Sequence, residues 1–295
     1  MSHDKIDFHV HVTPREISGN WQKYAAKEPY FALLSESPSN KFASAEDVIA
    51  ALDSSGFDKA VIFGFGFRDM GLCRYVNDYV IEETKRRPDR LIGFMSVAPK
   101  SGDLEKEIDR CRDAGLRGVG ELSPAGQGWD IAEAKETAVL TAACRERGLP
   151  LLLHANEPVG HYYAGKAAVD LGQFEKFIEH SPGLNIVLAH WGGGLFFYET
   201  MPELREKCRN VYYDTAASVF LYDHRIYRAA AALGLTEKIL FGSDFPLLPP
   251  SRYMAALRES GITTEERERI LGGNAEMLPG VCRASFGGSA KSRVT

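Results

Sequence analysis

The sequence lacks the features that mark membrane, secreted and nucleic-acid-binding proteins. No uninterrupted apolar run approaches the roughly 18 residues that a membrane-spanning helix needs, and the first residues do not form a charged-then-apolar secretion signal. The 35 Lys and Arg residues are outnumbered by 40 Asp and Glu residues, giving a net charge of −5 without a basic stripe. This balance disfavours nucleic acid or an anionic membrane as the main partner. We therefore expect a cytoplasmic protein with a small-molecule partner.

Cysteine is scarce and follows no recognisable pattern. The sequence has five cysteines, an odd number, and no two of them are spaced as C-x-x-C. This distribution favours reduced thiols over a disulfide framework or a zinc ribbon. The five positions are Cys73, Cys111, Cys144, Cys208 and Cys282.

Short apolar runs alternate with longer segments of helical periodicity along the chain. Near-continuous apolar strands that alternate with helices indicate a parallel sheet that is buried on both faces. Eight such units predict an α/β protein with a closed (β/α)8 TIM barrel. The eight runs are residues 6–12, 59–65, 91–97, 117–122, 150–155, 185–190, 210–215 and 238–244.

An open doubly wound sheet is the alternative architecture, but the Gly-rich phosphate turn that usually follows its first strand is missing. No linker interrupts the alternation, so we predict a single barrel domain over residues 1–282. Residues 14–43 are predicted to be an insertion after the first strand that covers the mouth of a site. Residues 283–295 have no apolar period, and we expect them to form a disordered tail.

The helix that follows this insertion has sequence signals at both ends. Ser44 with Asp47 predicts a capping box at its start, where side chains bond the free backbone N–H groups. Gly56 is placed to end it, because glycine adopts the left-handed conformation that closes many helices.

The stretch IDFHVHV places two histidines inside an apolar run near the start of the chain. Side chains alternate across a strand, so His9 and His11 should project to one face while residues 6, 8, 10 and 12 fill the other. Imidazole is the commonest protein metal ligand, and two of them this close can converge on one cation. Two strand-end histidines that merely bond their neighbours are the alternative.

Other polar residues also fall late in the predicted strands. In a (β/α)8 barrel the working site lies at the C-terminal ends of the strands, so these side chains should meet at one mouth. Nitrogen and oxygen ligands without cysteine suit Zn²⁺, Mn²⁺, Fe²⁺ or Co²⁺, with zinc the first choice. The residues are His9, His11, Glu121, His154, His190, Asp214 and Asp244.

The order of these residues, H-x-H, His, His and Asp on strands one, five, six and eight, resembles the amidohydrolase superfamily. More narrowly, it resembles the amidohydrolase-2 branch, which includes α-amino-β-carboxymuconate-ε-semialdehyde decarboxylase and related aromatic-acid decarboxylases. The resemblance spans residues 5–278 and is carried by IDFHVHV, LAHWGGGLFFY, ILFGSDFPL and ILGGNAEML. It implies a (β/α)8 barrel enzyme that depends on a metal ion.

The resemblance also implies residue roles. One divalent metal ion would be held by His9, His11, His154 and Asp244, and His190 would act beside it as the general acid/base. His190 and Asp244 are thus the predicted catalytic residues. A bound cation lowers the pKa of its water toward about 7, and a neighbouring imidazole can take or return the proton.

Glu121 allows two interpretations. In superfamily members with two metal ions, the residue at the end of strand four bridges them, so Glu121 could be a metal ligand and support a second ion. Alternatively, its carboxylate accepts a hydrogen bond that orients a ligand histidine. Asp214 is interpreted in the same way, as an orienting or structural carboxylate. The glycines of WGGG, residues 191–194, should let the backbone approach the site.

Basic and aromatic residues in loops near the mouth are the predicted substrate contacts, because an anionic substrate would need a cation there. They are Arg68, Tyr163, Lys166 and Trp191.

The favoured functional hypothesis is a metal-dependent hydrolase, in which activated water attacks a carbonyl of a small, anionic, cyclic or acyl substrate. The alternative is a non-oxidative decarboxylase of an aromatic or unsaturated carboxylic acid. The HWGGG resemblance favours the decarboxylase, whereas Glu121 favours the hydrolase. A third hypothesis is a barrel that binds a metal ion or ligand without turnover. A homo-oligomer is compatible with the family, although no interface is evident in the sequence.

Overall fold

Eight parallel strands form the central sheet, and their spatial order follows the sequence. A computed structural model of the protein describes residues 3–38, 41–167 and 170–281. The strands are β1 (Ile6–His11), β2 (Lys59–Phe63), β3 (Leu91–Met95), β4 (Gly118–Leu122), β5 (Leu151–Leu153), β6 (Ile186–Leu188), β7 (Val211–Asp214) and β8 (Ile239–Leu240).

Backbone hydrogen bonds between β1 and the end of β8 close the sheet into a barrel. The Phe8 N–H donates to the Phe241 carbonyl at 2.7 Å, and the Asp244 N–H donates to the His9 carbonyl at 3.0 Å. The predicted (β/α)8 TIM barrel is therefore confirmed. The near-continuous apolar character of the strands follows from this topology, since side chains fill the inside and helices cover the outside.

Helices occupy most of the connections between strands. They are α1 (Arg15–Gly19), α2 (Trp21–Ala25), α3 (Pro29–Ser35), α4 (Ala45–Ser55), α5 (Met70–Arg86), α6 (Leu104–Asp113), α7 (Pro124–Gln127), α8 (Ala134–Glu146), α9 (Leu171–His180), α10 (Pro202–Lys207), α11 (Ser218–Leu221), α12 (Arg225–Ala232), α13 (Met254–Glu259), α14 (Thr264–Glu268) and α15 (Asn274–Met277). Single 3₁₀ turns lie at Cys208–Asn210, Thr236–Lys238 and Pro250–Tyr253, an irregular 3₁₀ stretch at His190–Thr200 and a π turn at Arg269–Gly273.

The predicted signals of helix α4 are present in the structure. The Ser44 and Asp47 side chains form a capping box with each other's backbone N–H groups, and Gly56 ends the helix in the left-handed region with φ 69°. None of the helices in the described ranges is both long enough and apolar enough to cross a bilayer.

Three short helices, α1 to α3, lie between β1 and α4, in the segment predicted as an insertion. Glu28 anchors this segment: its carboxylate accepts the backbone N–H groups of Arg68 and Asp69, each at 2.9 Å. A second link lies further out, where the Tyr75 hydroxyl donates to Glu16 Oε2 at 2.9 Å. The segment is therefore fixed to the loop after β2, and we call residues 15–35 the cover segment.

Two strands contain a β-bulge, and both carry polar residues of the site. The pairing of β1 with β2 shifts between Asp7 and Val10, and that of β4 with β5 shifts between Val119 and Leu122. A bulge adds one residue to one strand and redirects the side chains around it. His9 and His11 project to the same side, as predicted, but the common face predicted for residues 6, 8, 10 and 12 is wrong.

The side chains of β1 show the effect of its bulge. Ile6 and Phe8 pack in one apolar cluster with residues of the barrel interior, whereas Val10 and Val12 pack in a second, larger cluster with residues of the helices. The four apolar side chains thus do not share one face.

Four of the cysteines are buried free thiols: Cys73, Cys111, Cys144 and Cys208. Cys282 and the predicted tail, residues 283–295, lie outside the described residues.

Candidate active site

A cavity of about 340 Å³ opens at the C-terminal ends of the strands, where the barrel fold places its working site. Five of the predicted strand-end residues line it: His11, Glu121, His154, His190 and Asp244. His9 and Asp214 are fully buried directly beneath them. The structure thus brings together polar groups from six different strands and their ends.

The first group of donor atoms comes from the two ends of the barrel sequence. His9 Nε2 and His11 Nε2 are 3.3 Å apart, and Asp244 Oδ1 lies 3.8 Å and 3.5 Å from them. A tetrahedral ion with bonds of about 2.1 Å holds its ligand atoms about 3.4 Å apart. The three atoms therefore fit one divalent cation in both chemistry and spacing.

The second group joins Glu121, His154 and His190. His154 Nδ1 lies 3.0 Å from Glu121 Oε1 and 3.2 Å from His190 Nε2. His190 Nε2 is also 3.5 Å from Glu121 Oε1. The Nε2–H of His154 donates to the Gly165 carbonyl at 2.9 Å, which turns Nδ1 toward the cluster. Glu121 Oε2 also lies 3.5 Å from His11 Nε2, so Glu121 stands between the two groups.

Burial and charge act in opposite directions on the site histidines. Burial lowers the pKa of His11 to about 4, which leaves a neutral imidazole able to bind a cation. Burial also opposes protonation of His9 and His190, but neighbouring carboxylates, Asp214 at His9 and Glu121 at His190, raise their pKa values to about 9 and about 10. Metal ions displace such protons when they bind.

Two residues of the site have left-handed backbone conformations that are costly for side chains other than glycine. His190 has φ 55° and Asp244 has φ 61°. Such conformations cost on the order of 1–3 kcal/mol and persist where surrounding structure holds them. Here the Asp244 N–H is held by the His9 carbonyl and the His190 N–H by Asp214 Oδ1, both at 3.0 Å.

The glycines after His190 allow close backbone approach, in agreement with the sequence. A Cβ atom on Gly193 would lie 2.3 Å from the Asn156 carbonyl oxygen, and Gly193 has φ 60°. The chain after β6 therefore packs directly against the chain after β5, next to His154.

Of the predicted substrate contacts, only Tyr163 lines the cavity. Its hydroxyl donates to Glu157 Oε2 at 3.1 Å. Trp191, a predicted substrate contact, does not line the cavity: its side chain is fully buried, and its indole N–H donates to Ser218 Oγ at 2.5 Å. It packs behind the site instead of contacting a substrate.

The two predicted basic contacts, Arg68 and Lys166, do not line the cavity either. Arg68 Nε donates to the Gly126 carbonyl at 3.0 Å, and Lys166 Nζ donates to the His161 carbonyl at 3.1 Å. Both cations therefore bind backbone oxygens within loops. These loops follow the strand ends in the sequence, but this did not determine where their long side chains point.

Most of the cavity wall consists of residues that the sequence did not single out. The cover segment contributes three of them, Lys41 follows that segment, and the connections after β2, β7 and β8 contribute the others. In the sequence, these wall residues were indicated only by the predicted insertion, because its apolar residues had no strand or barrel helix to cover. These wall residues are Tyr30, Phe31, Leu34, Lys41, Phe65, Phe220 and Leu247.

The sequence and fold are similar to those of several decarboxylases. 2-Amino-3-carboxymuconate-6-semialdehyde decarboxylase of Dictyostelium discoideum is 22% identical, covering 92% of this chain and 90% of the relative. The crystal structure of 5-carboxyvanillate decarboxylase from Sphingomonas paucimobilis matches with a TM-score of 0.74 and 18% identity, over 95% of this chain and 100% of that one.

A further structure contains a metal ion. It is 5-carboxyvanillate decarboxylase from Novosphingobium aromaticivorans, complexed with manganese and 4-hydroxy-3-methoxy-5-nitrobenzoic acid. It matches with a TM-score of 0.71 and 17% identity, over 94% of this chain and 96% of that one. At these identities the structural matches establish the fold. The sequence profile described as Amidohydrolase matches residues 6–278. This chain therefore belongs to the amidohydrolase family.

Proposed function

We propose that the protein is a metal-dependent, non-oxidative decarboxylase of a small aromatic or unsaturated carboxylic acid. This proposal replaces the hydrolase that the sequence alone favoured. One observation carries it: the imidazoles and carboxylates form the floor of a small cavity whose walls are largely aromatic and aliphatic. The names of the relatives, which are decarboxylases, support the same reaction.

A divalent metal ion would be held by His9, His11 and Asp244, while His154, the fourth predicted ligand, has its Nδ1 beside Glu121 and His190. When bound, it would polarise the substrate's oxygen atoms and neutralise their negative charge. Manganese and zinc both suit this mixed nitrogen and oxygen donor set. The neutral His11 supplies a ligand in the required state.

His190 is placed to deliver the proton that decarboxylation requires. Its Nδ1–H donates to the Ala216 carbonyl at 3.1 Å, which fixes the ring and leaves Nε2 facing the cavity floor. Nε2–H would protonate the carbon that carries the carboxylate. The bond from this carbon to the carboxyl carbon would then break, and its electron pair would restore the conjugated π system as CO₂ leaves. Solvent would then return a proton to His190.

The apolar walls would assist this step. Phe65 stacks on His11, with ring centroids 4.9 Å apart and planes 15° apart, and Phe31 packs against Phe65. These faces suit a flat, conjugated substrate. Excluding water from the carboxylate would favour its conversion to neutral CO₂. A volume of about 340 Å³ lies at the small end of ligand pockets and suits a single ring.

Metal-dependent hydrolysis is the second candidate, and the position of Glu121 favours it. Glu121 lies between the donor atoms of His9 and His11 on one side and of His154 and His190 on the other. A carboxylate in this place could bridge two ions, and two-metal sites activate water for hydrolysis. In that arrangement His190 would be a ligand instead of the proton donor.

The experiment is a direct comparison of the two reactions. Chelator-treated protein would be reloaded with Mn²⁺ or Zn²⁺ and incubated with aromatic and unsaturated carboxylates, and in parallel with lactones and esters. We expect metal-dependent CO₂ release from one or more carboxylates. Acid release from a lactone or ester, with no CO₂ release from any carboxylate, would overturn the proposal in favour of the hydrolase.

A further inference from the structure

We propose that Asp214 is a positioning residue that holds His9 in the form that binds metal and fixes the backbone of His190. The inference rests on the proposed function for its effect on turnover, but its effect on metal binding can be tested alone. Asp214 ends strand β7 and is fully buried. It does not line the cavity, so it acts through the two histidines.

One oxygen of Asp214 determines which nitrogen of His9 is free. His9 Nδ1 lies 2.8 Å from Asp214 Oδ2. A carboxylate only accepts hydrogen bonds, so the proton of the neutral imidazole stays on Nδ1. The Nε2 lone pair is then directed to His11 and Asp244, where the cation would bind.

The other oxygen of Asp214 holds the backbone of the proposed proton donor. Oδ1 accepts the N–H of His190 and the N–H of Ala216, each at 3.0 Å. His190 has φ 55°, and the Ala216 carbonyl accepts its Nδ1–H. Asp214 therefore anchors both the strained backbone of His190 and the segment that orients its ring.

The neighbouring backbone leaves room for this arrangement. A Cβ atom on Gly242 would lie 2.7 Å from His9 Cβ and 3.5 Å from Asp214 Cβ. A side chain at position 242 would push apart the two residues that bond each other. The ends of β1, β7 and β8 thus meet at one buried hydrogen-bonded group.

The substitution Asp214→Asn separates the two functions of the carboxylate. The amide can keep its oxygen toward the two backbone N–H groups, but its NH₂ group then faces His9 Nδ1. That group donates, so His9 must accept at Nδ1 and carry its proton on Nε2, which blocks metal binding. We expect Mn²⁺ affinity to fall about 10- to 100-fold, the usual cost of losing such an orienting partner.

The measurement is titration of chelator-treated protein with Mn²⁺ alone, with free Mn²⁺ followed by electron paramagnetic resonance. Asp214→Ala, which removes both oxygens, should lower Mn²⁺ affinity and also lower kcat at saturating metal, because His190 loses its anchor. The Mn²⁺ affinity of Asp214→Asn tests the proposal even if the alanine variant fails to fold.

Glu199→Gln is the matched control. Glu199 is another buried carboxylate, bonded by the Tyr213 hydroxyl and by Lys238 Nζ, each at 2.7 Å, outside the site. It should lower thermal stability without changing Mn²⁺ affinity. Wild-type Mn²⁺ affinity in Asp214→Asn, with only a loss of stability, would overturn the proposal. Absence of CO₂ release from the wild type would instead contradict the proposed function and leave the metal titration as the test of Asp214.

Discussion

The chemistry proposed for the site depends on His190 more than on any other single side chain. Its ring is fixed at Nδ1 by a backbone carbonyl, and its Nε2 lies near Glu121 and His154. His9, His11 and Asp244 form one set of three donors without it, whereas a second possible set joins His9 and Glu121 with His190 itself. The proposed mechanism uses the first set for the metal ion and His190 for proton transfer, and substitution should separate these two roles.

His190→Asn is predicted to abolish most turnover while keeping the metal. Asparagine can still donate to the Ala216 carbonyl but has no proton to transfer, and loss of a general acid typically costs about 10²–10⁴-fold in rate. Steady-state CO₂ release and elemental analysis of the same preparation would measure both quantities. Loss of the metal together with turnover would show that His190 is a ligand.

Glu121→Gln distinguishes one metal ion from two. We expect wild-type protein to hold one equivalent of metal, and the variant to hold one equivalent with lower kcat, since the amide no longer holds the proton at His190 Nε2. Stoichiometry would be measured by elemental analysis after removal of excess metal. Two equivalents in the wild type and one in Glu121→Gln would instead make this carboxylate a bridging ligand and favour the hydrolase.

At the scale of elements, the cover segment completes the site from outside the barrel. Tyr30 on α3 lines the cavity, and its hydroxyl donates at 3.2 Å to the Gly165 carbonyl, which also accepts the Nε2–H of His154. A Cβ atom on Gly126 would lie 2.4 Å from the Tyr30 ring, so a residue without a side chain is needed there. The cover segment thus contacts the partner of a proposed metal ligand.

Tyr30→Phe is predicted to lower kcat/KM by about fivefold, because one hydrogen bond of about 1 kcal/mol to the Gly165 carbonyl is lost. Tyr75→Phe removes a comparable bond of the same segment, to Glu16, on the outer side away from the cavity. Steady-state kinetics of the two variants should differ. Equal effects of both substitutions would mean that the cover segment acts only through its overall attachment.

The bulges in β1 and β4 show where element-level prediction stops. The apolar runs, the capping box of Ser44 and Asp47 and the end of α4 at Gly56 are local features, so the sequence predicts them well. A bulge depends on the register between two strands, which no local pattern encodes. Both bulges lie beside site residues, and they decide how His9 and Glu121 enter the cluster.

At the scale of the whole molecule, the site joins the first and last strands of the barrel. Bound metal should therefore stabilise the folded barrel, since the unfolded chain does not hold these ligands together. At a free metal concentration of about 100 times Kd, the gain is about 2.7 kcal/mol, or about 5 °C in Tm for a domain of this size. Thermal unfolding of chelator-treated protein with and without added Mn²⁺ measures it. Identical Tm values at saturating Mn²⁺ would contradict a metal site in this position.

The sequence by itself determined the barrel and the set of polar residues at its mouth. Strand and helix periodicity are local properties, and the C-terminal ends of parallel strands must meet, so His9, His11, His154, His190 and Asp244 could be grouped without coordinates. The position of Glu121 near the histidines was expected for the same reason.

Only the tertiary structure decided the cavity wall and the connections between the polar groups. Arg68, Lys166 and Trp191 lie in loops of suitable sequence, yet each side chain takes another hydrogen-bond partner, and none of the three lines the cavity. The bonds of Asp214 to His9 and His190 join residues far apart in the chain. Such contacts depend on distances of a few ångströms between elements, which arise only when the barrel closes.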